Sequence, residues 1–390
     1  MKRIVPLIMA ILLLIPQSSM AAIGIEKSVH AYYVGEQESG QEFLNHNGDE
    51  VLPIASITKI MTYMIVKDAI QAGTIGEMDP VTITEDVEQT PGSSMELKNE
   101  EIVTVQELIR GLIIVSANDA AVALAKHVAG TEQNFIPLME QKAEELGLRN
   151  YHFYNASGYP FDGVDNLLSA KDVFKMTKYC LDNYPEILTI AQEPALDMPA
   201  RNYRKDTTIP LVGEMKGVDG LKTGTTDAAG HCLVSTFTVF DDEGNDAFRG
   251  ISVVLGTESK DMRNKVARYI IEYVQKNFRY REILDPNIPY KKWAENSVKN
   301  GYIEVYPEEE LVLLINKETG IIRRDYLDEN KKAPIKKGEI LGELTIEPVG
   351  LPIHQINLVT KENYELADTK TRLQRLSSYI FEIFRTMLYI

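Results

Sequence analysis

The chain has 390 residues, with 57 Asp or Glu against 41 Lys or Arg, for a formal net charge of −16. Its 44% hydrophobic content and two cysteines exclude a disordered chain, a collagen and a small disulfide scaffold. The acidic balance argues against a nucleic-acid partner, which needs clustered Lys and Arg to neutralise phosphates, and the length predicts two or three domains.

The first residues, MKRIVPLIMAILLLIPQSSMAA, place Lys2 and Arg3 before the apolar stretch Leu7–Ile15, then Pro16 and Ser19-Met20-Ala21. A charged start, a short apolar stretch and small residues at the cut define a secretory signal peptide, predicted here over 1–21. The apolar stretch is too short to cross about 30 Å of hydrocarbon as a helix. Cleavage after Ala21 removes two positive charges and no acid, so the mature chain carries −18. Export makes a disulfide possible, but Cys180 and Cys232 lie in helix-like and strand-like apolar stretches and are expected as unpaired, buried residues.

Alternating strands and helices follow, predicted as one domain over 22–280. Val29–Val34 suits a strand, and Ser56–Ala72 an amphipathic helix stopped by Gly73. Asn118–Val128 is Ala-rich and apolar nearly all round, which predicts a buried helix ending at Gly130. Thr131 is a predicted N-cap for a helix reaching Gly147, and Ser169 with Asp172 has the form of a capping box. CLVSTFTVF and RGISVVLGT flank the turn DDEGND as an antiparallel hairpin, and Asp261 to Phe278 closes the unit as a helix. Short β-rich runs separated by Gly, Pro, Asn and Lys turns then predict a small all-β domain over 281–364. In the remaining segment, 365–390, residues from Thr369 to Ile390 place Leu373, Leu376, Ile380, Ile383, Phe384 and Met387 on one helical face. Lys370, Arg372, Arg375 and Arg385 oppose only Glu382, giving +3 inside an acidic protein. A basic amphipathic helix suits an anionic membrane surface.

Three short motifs carry the chemistry. Ser56 and Lys59 are three apart at a helix start, so their side chains share a face. A buried lysine near another cation loses its proton easily and can activate a serine. Ser116-Ala117-Asn118 puts a hydroxyl and an amide at the junction before the Ala-rich helix. Lys222-Thr223-Gly224 puts a cation, a hydroxyl and a flexible backbone on a sheet edge. S-x-x-K, S-x-N and K-T-G in that order form the signature of penicillin-binding proteins and β-lactamases. The six histidines show no H-E-x-x-H or other metal spacing, and no metal or cofactor is expected. No G-x-S-x-G elbow occurs.

With ASITKIMT, SANDAAVALA, GVDGLKTGTTDAAG and ISVVLG, the chain resembles the D-alanyl-D-alanine carboxypeptidases, the low-molecular-mass penicillin-binding proteins of the penicillin-binding protein 5 type. The resemblance implies a mixed α and β fold: an antiparallel sheet flanked by helices plus a helical lobe, followed by a small all-β domain. It implies Ser56 as acylated nucleophile, Lys59 as general base, Ser116 as proton relay and Asn118 as a holder of substrate peptide groups. Lys222, Thr223 and Arg263 would engage a terminal carboxylate, with Gly224 in the same motif, and the N–H groups of Ser56 and Thr225 would form the oxyanion hole. The implied partners are peptidoglycan stem peptides and β-lactam antibiotics, and the implied location is the outer face of the bacterial cytoplasmic membrane.

A local departure is ARNYRKDTTIPLVGEMKGVDG, where Arg201, Arg204 and Lys205 cluster before K-T-G, either altering substrate preference or forming a solvated loop. A class A β-lactamase would carry Asp between the second-motif Ser and Asn and a deacylating glutamate, and no E-x-x-L-N pattern follows Asn118. Endopeptidase or transpeptidase action on cross-links uses the same serine chemistry and remains an alternative. A non-catalytic wall-binding protein predicts damaged motifs, whereas all three are intact.

Overall fold

A computed structural model describes residues 23–387, which divide into two compact units, 23–276 and 277–387. The predicted signal peptide and the last three residues of the tail lie outside the described residues.

The first unit is built on a five-stranded antiparallel sheet. Its strand order is Glu42–His46, Ala31–Glu36, Asp246–Thr257, Gly230–Phe240, Val218–Thr226. The hairpin predicted around DDEGND is present, with Ser235 opposite Ser252. Val218–Thr226, which carries K-T-G, pairs on one side only, with Lys222 opposite Val234, so the motif stands on a sheet edge. Helix Ala170–Asn183 packs on the sheet, where the Phe174 ring lies 5.0 Å from that of Tyr33. Cys180 and Cys232 are both free and buried.

Helices Lys59–Gln71, Val105–Ile114, Asn118–Ala129 and Glu132–Glu145 form the helical part. Two expectations need correction. The first helix is not amphipathic over its first turns, because every residue from Lys59 to Lys67 is buried. Neighbouring helices cover all its sides, so the apolar stripe at 60, 61, 64 and 65 under-reports the burial. Ser56 precedes this helix, in the 3-10 turn Ala55–Thr58. The Ser169 box is also half made: its hydroxyl accepts from Asp172 N at 3.1 Å. Asp172 is instead engaged by Arg149 N at 3.0 Å and Lys175 Nζ at 2.8 Å. A complete box stands at Thr104 and Glu107, where it starts the helix that delivers Ser116.

The second unit has a five-stranded sheet in the order Lys291–Ala294, Tyr302–Pro307, His354–Val359, Ile340–Pro348, Ile321–Leu327. Phe278–Leu284 pairs separately with Leu311–Asn316. Its core includes Val298, Ile303, Val305, Leu344, Ile346 and Leu358, each fully buried aliphatic contributing about 1.5–3 kcal/mol. Thr369–Met387 is helical and leaves Leu373, Leu376, Ile380, Ile383 and Phe384 exposed. Arg375 fixes this helix to its own unit by donating to Val298 O at 2.8 Å and Lys299 O at 2.6 Å. Among the described residues, no helix is long and apolar enough to cross a membrane.

Candidate active site

Ser56, Lys59, Ser116, Asn118 and Lys222 converge although they come from three distant stretches of chain. The turn carrying Ser56 is held by close backbone approaches. A Cβ on Gly158, which has φ +73°, would lie 1.9 Å from Ala55 O. One on Gly224 would lie 2.7 Å from Ile54 O and 3.3 Å from Ser56 N. Only glycine lets the K-T-G strand and the 158 turn come this close. Ala55 at φ +48° and Ser116 at φ +60° occupy the left-handed region, a backbone cost that the surrounding contacts have to offset.

Lys59 is fully buried and its Nζ meets three oxygens: Ser56 Oγ at 2.8 Å, Asn118 Oδ1 at 2.7 Å and Ser157 O at 2.7 Å. The Asn118 amide is oriented by Nδ2, which donates to Pro91 O at 2.7 Å. Burial, reinforced by the positive charge of Lys222 and opposed by Asp119, holds the Lys59 amine well below the ordinary lysine range. A neutral amine has two N–H groups and one lone pair. The two carbonyl oxygens can only accept, so the lone pair is left facing Ser56 Oγ. This arrangement suits removal of the serine proton.

Lys222 is also buried, with Nζ 2.8 Å from Ser116 Oγ and 3.0 Å from Thr223 O. Burial and the nearby Arg263 push its amine down to about 7. Arg263 itself is buried, not solvated on its helix, and burial lowers its pKa as well. Thr223 is buried beside Lys222, whereas Thr225 is exposed at the end of the strand, its Oγ1 3.2 Å from His231 Nδ1. The structure brings Ser56, Lys59, Ser116, Asn118, Lys222, Thr223 and Gly224 together by direct contact, Thr225 follows Gly224 in the same strand, and Arg263 is near enough for its charge to act on Lys222.

Several supports left no motif in the sequence. The Ser157 carbonyl that fixes Lys59 belongs to a loop strapped down by Thr62 Oγ1, which donates to Ala156 O at 2.6 Å, and by Asn166 Nδ2, which donates to Asn155 O at 2.8 Å. Asp119 accepts from Ser94 Oγ at 2.7 Å, Met95 N at 3.1 Å and Leu97 N at 3.2 Å, pinning the 94–97 loop beside Asn118. Arg201, from the departing segment, pairs with Glu101 and donates to Met95 O at 3.0 Å and Glu96 O at 2.9 Å. It is a brace and not a solvated cation; only the charge complementarity of Glu101 and Arg201 hinted at it. Among the described residues, no group of three or more His, Cys, Asp or Glu could hold a metal.

Comparison with known proteins agrees with this geometry. Residues 18–259 match the family model for D-alanyl-D-alanine carboxypeptidase, peptidase family S11. The chain is 30% identical over 345 residues to the D-alanyl-D-alanine carboxypeptidase DacF of Bacillus subtilis, covering 87% of each. It is 33% identical over 358 residues to DacC of Escherichia coli, covering 86% of this chain and 84% of that one. A solved structure of penicillin binding protein 5 from Haemophilus influenzae superposes with a TM-score of 0.63 at 27% identity, covering 87% of this chain and 98% of the other. The chain belongs to peptidase family S11, the D-alanyl-D-alanine carboxypeptidases.

Proposed function

We propose that this protein is a serine-type D-alanyl-D-alanine carboxypeptidase that removes the terminal D-alanine from peptidoglycan stem pentapeptides and is acylated by penicillins. The single observation that carries the reading is the Lys59 amine, buried, held by that burial well below the ordinary lysine range and 2.8 Å from Ser56 Oγ.

Lys59 takes the proton of Ser56 as Oγ attacks the carbonyl carbon of the penultimate D-alanine. The N–H groups of Ser56 and Thr225 receive the developing oxyanion. Ser116, bridged to Lys222, passes a proton to the amide nitrogen as the C–N bond breaks and D-alanine leaves. Water then cleaves the Ser56 ester, so the net change is hydrolysis of one peptide bond. Lys222, Thr223 and Arg263 hold the terminal carboxylate, and Gly224 lets their strand lie against Ser56. Asn118 has a second amide N–H beyond the one given to Pro91, available to a substrate carbonyl. A β-lactam reacts at the same serine and stays attached.

The enzyme is exported and works at the outer face of the bacterial cytoplasmic membrane, held there by 369–390. Support comes from the signal-like start and from the basic helix with its exposed apolar face. The domain reading is a leader at 1–21, a catalytic domain at 22–280, an all-β domain at 281–364 and the anchor segment at 365–390.

The test is paired. Incubation with a pentapeptide ending in D-Ala-D-Ala releases free D-alanine, and mass spectrometry after penicillin treatment finds the adduct on the peptide containing Ser56. Transfer products without free D-alanine favour the cross-link reading, and an unmodified Ser56 peptide overturns the assignment.

A further inference from the structure

The loop at 91–97 has neither helix nor strand of its own, and Glu96 within it holds φ +60°. Its backbone is satisfied from two sides. On one side stands the start of helix Asn118–Ala129. There Asn118 N donates to Ser93 O at 2.6 Å, Asn118 Nδ2 donates to Pro91 O, and Asp119 accepts from the N–H groups of Met95 and Leu97. On the other side stands the strand pair Ala195–Met198 and Tyr203–Asp206 with its connecting turn. Three of its side chains reach successive carbonyls of the loop. Tyr203 Oη donates to Ser94 O at 3.2 Å and Lys205 Nζ to the same oxygen at 3.3 Å. Arg201 Nη1 donates to Met95 O at 3.0 Å, and Nη2 to Glu96 O at 2.9 Å.

Arg201 carries most of this grip. Its guanidinium is a planar fork that serves two carbonyls and a carboxylate at once, with Glu101 Oε2 3.1 Å from Nη2. The side chain is 14% exposed and lies over the Tyr203 ring, 5.5 Å from its centroid. Without the fork, the strand pair holds the loop only at Ser94. The consequence reaches the chemistry through Pro91 O. That carbonyl decides which end of the Asn118 amide is turned to Lys59: Nδ2 goes to Pro91, so Oδ1 goes to Lys59 Nζ at 2.7 Å. A shifted loop frees the amide to turn, and the Lys59 amine then loses an acceptor that favours its protonated form.

We propose that Arg201 is a positioning residue for the serine chemistry: it holds the 91–97 loop so that Pro91 keeps the Asn118 oxygen on Lys59. The segment before K-T-G is thereby tied to the asparagine of S-x-N and the lysine of S-x-x-K. The proposal rests on the carboxypeptidase reading and adds to it a residue outside the three motifs.

The test is Arg201→Met, read by penicillin acylation of Ser56 from pH 5 to 10. The plateau rate is expected to fall about tenfold, the worth of one hydrogen bond to a charged group. The acid limb, which reports Lys59, is expected to move down by about one pH unit. The burial of Lys59 and the charges of Lys222 and Asp119 that act on it are left in place by the substitution. Lys142→Met is the comparison: its side chain is 11% exposed and paired with Asp68 and Glu145, and its loss lowers stability without moving the limb. A limb that stays in place in Arg201→Met, or moves equally in Lys142→Met, overturns the proposal. If Arg201→Met does not fold, Arg201→Lys, which keeps a charge beside Glu101 but has no fork for two carbonyls, is read in the same way. No acylation of the native enzyme at any pH counts against the carboxypeptidase reading instead. The Lys59 ¹³Cε signal, assigned by its loss in Lys59→Arg, then still reports the titration of the amine, and an unmoved midpoint in the Arg201 variant overturns the proposal.

Discussion

Lysines and arginines do opposite jobs in two regions of this molecule. In the catalytic unit Lys59 and Lys222 are stripped of water, crowded by other cations and brought down in pKa, Lys222 to about 7. In the terminal helix Lys370, Arg372 and Arg385 stand exposed beside an apolar face, and Arg375 and Arg372 donate to backbone carbonyls of the same unit. The same side-chain type is a buried, desolvated base in one setting and a solvent-facing group in the other. Desolvation is what separates them.

Swapping the environments' requirements is the sharpest way to break this contrast. Lys59→Arg keeps a cation that cannot deprotonate. It is expected to lower both D-alanine release and penicillin acylation by about a thousandfold, with a melting scan confirming that the fold survives. A smaller effect is expected from pH at Lys222. The carboxylate of the substrate needs a protonated amine there, so KM rises as pH passes upward through about 7. In Lys222→Arg the guanidinium stays charged and that rise disappears; a KM profile from pH 6 to 9 checks it. The smallest catalytic effect is expected at the other end of the molecule. Deleting 369–390 abolishes sedimentation with phosphatidylglycerol vesicles while hydrolysis of a soluble peptide changes by less than about twofold. A truncated protein that still sediments refutes the anchor.

What could be read from the sequence follows from how local each signal is. S-x-x-K, S-x-N and K-T-G are short, and each predicted a side chain that the structure places in the constellation. The hairpin at DDEGND and the N-cap at Thr131 are equally local, and both are present. The Ser157 carbonyl is a backbone group 98 residues from its lysine partner, so no side-chain pattern could announce it. Burial all round the Lys59 helix was hidden for a related reason. Lys59, Thr62 and Lys67 interrupt the apolar pattern, and only the packed fold supplies the bonds that let them be buried. The box expected at Ser169 failed because a competitor from another segment, Arg149, holds its acid.

The two glycines that clasp the nucleophile's turn have an evolutionary consequence. Any side chain at Gly158 or Gly224 collides with the backbone at Ala55 or Ile54. A lineage under antibiotic pressure therefore has no small step available at these two positions: a side chain at either one displaces the turn of Ser56 for drug and substrate alike. Side chains that face solvent along the cleft beside Ser157, such as Tyr159, Phe161 and Asp162, meet no such barrier, so the shape offered to a drug can drift there while the serine stays where it is.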